Sequence, residues 1–273
     1  MNVPIEDTER LAIVRAGNER VLAARLEDAE FYWEEDQKTP LRAKVPLLDR
    51  VVWQEKLGTL GEKARRVERL ALRIAENEPT KVRDVVKKAA PLLKADLVTE
   101  MIQDGKEFTK LQGLIGYYYA RGSGEGPEVA EAILEHHLPG FAGDRLPGTP
   151  AGQILSVADK LDTIVGCFGV GLIPTGSQDP FALRRLARGV LRILGKSDAA
   201  WELEEVLQSA IKEYEGKLAS EPAKLAPEVL AFFDDRLKNL LAEEGIAYDA
   251  IDAALAVTRR PKEVEERARA IDA

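Results

Sequence analysis

An all-α fold follows from three features of the sequence. Apolar residues recur at three- and four-residue steps along nearly the whole chain, Pro and Gly gather between those runs, and no bounded segment alternates strictly between apolar and polar. Residues 5–36 put Ile5, Leu11, Val14, Val21, Leu22, Leu26, Ala29 and Tyr32 at helical spacing, with Gly17 and Asn18 as a point of interruption. Residues 59–77 repeat the pattern through Leu60, Ala64, Val67, Leu70, Ala71 and Ile74. Further helices are predicted over 81–102, 108–120, 127–136, 150–168, 180–194, 200–218, 226–243, 247–256 and 261–271. Pro127 and Pro150 sit just inside their helices, where a missing N–H costs nothing. Thr80 and Asp179 are predicted N-caps. Loops fall at Gly122–Pro127, Pro139–Pro150 and Gly169–Gly176.

The chain has 273 residues, 45% of them apolar and 32% charged, enough to bury a core in one or two domains. No run of about 18 uncharged apolar residues exists, which argues against a membrane span. The opening MNVPIEDTER lacks a basic region followed by an apolar stretch, so no secretory signal is expected and a cytoplasmic setting is. The single cysteine, Cys167, excludes an internal disulfide. Net charge is −8, and residues 201–273 hold 10 basic against 17 acidic side chains. That shift sets a soft boundary: a helical domain over 1–196 and a smaller helical unit over 197–273. Two stretches run the other way. Lys81, Arg83, Lys87, Lys88 and Lys94 oppose only Asp84, and Arg184, Arg185, Arg188, Arg192 and Lys196 oppose only Asp179. Such patches can meet a polyanion even on an acidic chain. The plainer reading is a solvated helix face.

Candidates for chemistry are few. The histidines are the adjacent pair His136 and His137, which point about 100° apart on a helix and cannot readily share one ion. Asp96, then His136, then Asp159 in VADKLD follow the order of the HD-type metal phosphohydrolases, where imidazoles and carboxylates hold a water-activating divalent ion. Here the His-Asp pair reads Ala95-Asp96 and no histidine precedes residue 136, so two imidazoles are missing. A helical domain of HD type without metal or catalytic residues is the expectation. Cys167 lies in an apolar run and reads as a small core residue. The glycines at 166–176 fit neither a P-loop nor a dinucleotide fingerprint. Tyr117, Tyr118 and Tyr119 could stack on bases, but consecutive helical positions face different ways, and packing is the simpler account.

Several long blocks carry the reading further. They are VRAGNERVLAARLEDAEFYWEED (14–36), QEKLGTLGEK (54–63), KADLVTEM (94–101), LQGLIGYYYA (111–120), EHHLPGFAGDRLP (135–147), ADKLDTIVGCFGVGLIPTGSQDPFALRR (158–185) and FFDDRLKNLLAEEGIAYDAIDAALA (232–256). Together they resemble the β subunit of the bacterial type of glycyl-tRNA synthetase, over the part holding a degenerate HD domain and the start of an anticodon-binding-like helical region. The resemblance implies an aminoacyl-tRNA synthetase component acting in protein biosynthesis. It implies that ATP, Mg and glycine chemistry belongs to the α subunit, and that this segment binds no cofactor and is noncatalytic alone. Its implied partners are tRNA(Gly), the α subunit and the remaining β-subunit domains, with no membrane. Asp96, His136 and Asp159 become remnants of a metal layout. The candidate tRNA contacts are Arg184, Arg185, Arg188, Arg192, Lys87 and Lys88. On one helix, Arg184, Arg188 and Arg192 share a face at about 6 Å per step, comparable to the phosphate spacing of an RNA strand. The alternatives are an active HD-type phosphohydrolase, a docking module that never touches RNA, or arginines that pair with Asp159, Asp162 or Asp179.

Overall fold

The computed structural model describes residues 8–103, 106–197, 201–214, 216–218 and 221–273. Its elements, in order, are α1 (Thr8–Gln37), α2 (Leu41–Lys44), a short antiparallel hairpin of β1 (Val52–Gln54) and β2 (Gly58–Thr59), α3 (Leu60–Ile74) and α4 (Thr80–Ala89). There follow α5 (Glu100–Gln103), α6 (Leu114–Gly122), α7 (Pro127–Glu135), α8 (Pro150–Gly169) and α9 (Leu183–Lys196). The chain continues through α10 (Leu203–Lys212), α11 (Pro222–Glu243), α12 (Tyr248–Leu255) and α13 (Pro261–Asp272). The architecture is all-α, and one apolar cluster runs from Leu41 to Ala268, across residue 196.

Helix α8 is the hub, touching α3, α4, α7, α9, α10 and α11. Its sequence explains why: Ile154, Leu155, Val157, Ala158, Leu161, Ile164 and Val165 are apolar on several faces and fully buried. Ser156, Asp159, Lys160, Asp162 and Thr163 form its one polar stripe, at three-to-four-residue spacing. A polar stripe on a buried helix must find partners inside the protein. Those partners come from α3, from Lys94 ahead of α5, and from the His136 and Leu138 carbonyls between α7 and α8.

Several local expectations change. The predicted helix over 81–102 ends at Ala89, because Pro91 cannot continue it; 3-10 turns at Ala90–Leu92 and Ala95–Val98 carry the chain to α5. Lys106–Leu111 is also a 3-10 turn, so α6 starts at Leu114. Gly17 and Asn18 do not interrupt α1. Thr80 is the first residue of α4 and Pro79 its cap. Asp179 does cap α9, but from outside the cap position: its carboxylate accepts from Leu183 N and Arg184 N at 2.7 and 3.0 Å. The predicted start of the first helix at Ile5 lies outside the described residues. Pro127 and Pro150 occupy first turns as expected. No helix among the described residues is long and apolar enough to cross a membrane.

Asp36 roots α1. It is 2% exposed and accepts from Glu100 N, Met101 N and Tyr119 Oη at 3.0 Å each, and from Lys44 Nζ at 2.8 Å. Burial and the Asp36 charge push the Tyr119 phenol up, which keeps it a neutral donor. Tyr119 is therefore core, as packing predicts, while Tyr118 stays half exposed against Trp33.

Candidate functional site

The polar stripe of α8 meets a set of buried cations. Asp159 is clasped by two ammonium groups, Lys94 Nζ at 2.8 Å from Oδ2 and Lys63 Nζ at 3.1 Å from Oδ1. Lys63 also donates to Asp162 at 2.9 Å and Thr163 Oγ1 at 2.8 Å, and its ammonium lies 4.5 Å above the Trp53 ring. Arg66 closes the other side of Asp162 with Nε at 2.7 Å. Both α3 cations point inward because Lys63 and Arg66 share the helix face that carries Val67 and Leu70. Burial opposes the charge on Lys63, yet Asp159 and Asp162 overcome it and raise its pKa. Burial would likewise raise Asp159, but Lys63 and Lys94 hold it well below the usual carboxylate range.

Lys94 answers the metal question. His136 is buried, and its Nδ1 faces the Ile133 carbonyl at 2.5 Å, which assigns that proton to Nδ1 and leaves the Nε2 lone pair free. That lone pair meets Lys94 Nζ at 3.0 Å. The imidazole and the carboxylate that a divalent ion would need are thus already joined by a resident ammonium. No three His, Cys, Asp or Glu side chains among the described residues are placed to share an ion. The residues present do not fit a metal. Lys94 is 6% exposed, so it leaves the basic surface patch to which its position in sequence assigned it.

Asp96, the third residue of the predicted layout, makes no hydrogen bond to either member of this pair. Its Oδ2 accepts from Gly113 N at 2.6 Å and its Oδ1 has no hydrogen-bond partner. Burial raises its pKa, and the Gly113 N–H only partly offsets this. Gly113 has φ +79°, and a Cβ there would lie 2.4 Å from the His137 ring, so both backbone and space require glycine. Burial holds His136 well below its ordinary value and His137 at about 3. Burial, with the Lys94 and Lys63 charges nearby, brings Lys160 down to about 7, while its amine donates to Leu138 O at 2.8 Å and Ser156 Oγ at 2.7 Å. Burial pushes the Cys167 thiol up to about 12, consistent with a core residue.

A second cluster lies on the surface of α9 and α11. Arg184 and Arg188 form a ridge between two cavities. One, of about 450 Å³, is completed by Arg236, Asn239, Glu243 and Tyr248. The other, of about 370 Å³, is completed by Arg185, Arg192, Phe141 and neighbouring backbone. No side chain of the four α9 arginines pairs with Asp159, Asp162 or Asp179. Arg188 forms a two-pronged pair with Glu243, and Arg192 donates to the Asp144 carbonyl at 2.9 Å. Lys87 and Lys88 are exposed on α4 and line neither cavity. Arg236, Asn239, Tyr248 and Phe141 escape sequence reasoning. Arg236 sits inside a strongly acidic stretch, and periodicity gives no sign that α11 packs beside α9.

The sequence model described as "Glycyl-tRNA synthetase beta subunit" matches residues 2–256. The glycine–tRNA ligase beta subunit of Desulfitobacterium hafniense (strain Y51) is 49% identical over 256 residues, 92% of this chain and 36% of that protein. That of Moorella thermoacetica is 47% identical over 253 residues, 91% of this chain and 36% of the relative. That of Desulforamulus reducens is 49% identical over 251 residues, 90% and 35%. The chain spans about a third of the length of the curated relatives it matches. On a match that covers nearly every element from α1 to α12, the chain belongs to the glycyl-tRNA synthetase beta subunit family.

Proposed function

We propose that this chain is the tRNA(Gly)-binding scaffold of a glycine–tRNA ligase β subunit. It supports glycyl-tRNA synthesis in the cytoplasm, while the activation of glycine with ATP is carried out by the α subunit. The body over residues 1–196 keeps the helical layout of an HD domain whose metal chemistry is gone. Residues 197–273 begin an anticodon-binding-like unit. The observation that carries the reading is the groove on α9 and α11, where Arg184, Arg185, Arg188, Arg192 and Arg236 face one carboxylate, Glu243. Guanidinium forks suit phosphate oxygens. A phosphohydrolase reading lacks support, because Lys94 occupies the junction of His136 and Asp159.

A docking role toward the remaining β-subunit domains is a compatible second reading, favoured by the apolar residues that α1 exposes: Ile13, Val21, Leu22, Leu26 and Phe31 are each more than half exposed.

The test is a tRNA(Gly) titration at about 50 and about 200 mM salt with Arg188→Glu and Arg192→Glu. Both variants should weaken binding and flatten its salt dependence; Arg188→Glu should leave melting nearly unchanged, since an exposed ion pair contributes about 0–1 kcal/mol, whereas Arg192→Glu also gives up a bond to the Asp144 carbonyl. Unchanged affinity at low salt would remove the groove from the tRNA interface. The same titration with Lys87→Glu and Lys88→Glu assigns or dismisses α4.

A further inference from the structure

The two arginine cavities differ from a plain basic patch in one respect: each carries an exposed aromatic ring. Phe141, 64% exposed, lines the cavity with Arg185 and Arg192; Tyr248, 59% exposed, lines the cavity with Arg236 and Asn239. The Arg184–Arg188 ridge is common to both. Ring, guanidinium, ring is the order a single strand needs, because its bases are free to stack and its phosphates lie between them. A duplex would leave both rings idle, since its base faces are covered by its own stacking.

We propose that these cavities seat two neighbouring unpaired nucleotides of RNA, one base on Phe141 and the other on Tyr248, with the backbone on the arginine ridge. The inference rests on the tRNA-binding reading above and narrows it to a single-stranded segment. Arg236 supports the assignment: its guanidinium lies 5.2 Å from the Phe232 ring, which holds it against the cavity it lines. Asn239 adds an amide that can meet a base edge from the same cavity. Glu243 is the one opposing charge. It is exposed and paired with Arg188, an arrangement that a phosphate can displace at little cost.

The experiment uses the full chain and three probes: tRNA(Gly), a labelled single-stranded oligoribonucleotide of about eight mixed nucleotides, and a blunt RNA duplex of similar charge. Phe141→Ala and Tyr248→Ala should each weaken the single strand and tRNA by about fivefold or more, the low end of a base–ring stack. Phe141→Tyr and Tyr248→Phe should restore binding, and duplex affinity should not respond to any of the four. Both rings are exposed, so folding is preserved. Alanine variants that bind the single strand like the parent, while Arg188→Glu still weakens tRNA, would overturn the seat and leave the tRNA interface standing. Failure of Arg188→Glu as well would overturn both.

Discussion

The cations around α8 and those along α9 occupy opposite ends of one physical scale. Lys63, Arg66 and Lys94 are at most 6% exposed, and each touches Asp159, Asp162 or both. The arginines of the groove line open cavities, and only Arg188 among them pairs with a carboxylate, Glu243, among the described residues. An unpaired charge in the interior costs several kcal/mol, so a buried cation must be matched within the chain or, like Lys160, be driven toward its neutral form. A solvated cation carries no such demand. The groove gathers five such guanidiniums, of which Arg188 alone has a carboxylate partner among the described residues, so most of their charge is left unmatched by the fold. Pairing thus separates charges that hold the structure from charges available to an outside anion.

The comparison breaks most readily at Lys63. Replacing it in Lys63→Met strands Asp159 on one side and takes a partner from Asp162, and should cost about 3–5 kcal/mol in a denaturant titration. A loss below about 1 kcal/mol would mean the cluster is dispensable and the contrast with α9 is empty.

Acid should act next. His136 and His137 are neutral in the folded state and held below their ordinary range, His137 at about 3. The unfolded chain takes up protons near pH 6.5, so stability falls as pH drops from about 6.5 toward 3. Asp159, depressed when folded, adds a second loss below about pH 4. Melting temperatures over pH 3–8 follow both steps, and His137→Gln should flatten the upper one. A flat profile between pH 6.5 and 4 would contradict the buried neutral pair.

The smallest change belongs to Asp96→Asn. Asp96 has a raised pKa when folded, so its contribution declines as pH rises through the span above about 3.9. The amide mimics the protonated acid. Stability should therefore shift by less than about 1 kcal/mol at pH 4 and increase at neutral pH. A large loss at neutral pH would show that Asp96 is needed as an anion.

Helix positions and the family blocks were legible because both are local in sequence. Pro91 shows a signal present but underweighted: a proline eleven residues into a proposed helix ends it. The layout of Asp96, His136 and Asp159 could be read as incomplete, yet the filler could not be identified. Lys94 lies in a run of basic residues, and nothing in its neighbours says that it turns inward toward a carboxylate 65 positions away. The aromatic rings of the groove were equally hidden. Phe141 and Tyr248 are 107 positions apart, and only the packing of α9 against α11, with α12 on α11 in turn, brings them to one surface.

One feature of α1 bears on mechanics. Residues 11–28 are exposed at every position, so about 27 Å of the helix stands clear of the body, while Asp36 fixes its base by four bonds. Such an element is a lever with a stiff fulcrum. A tilt of about 5° at the base moves the far turn of the roughly 45 Å helix by about 4 Å, so small repacking around Asp36, Tyr119 and Met101 is magnified at the other end. The angle at which α1 leaves the body, set by the Asp36 bonds and the packing of Tyr32 and Trp33, thereby governs where anything in contact with its first turns is held.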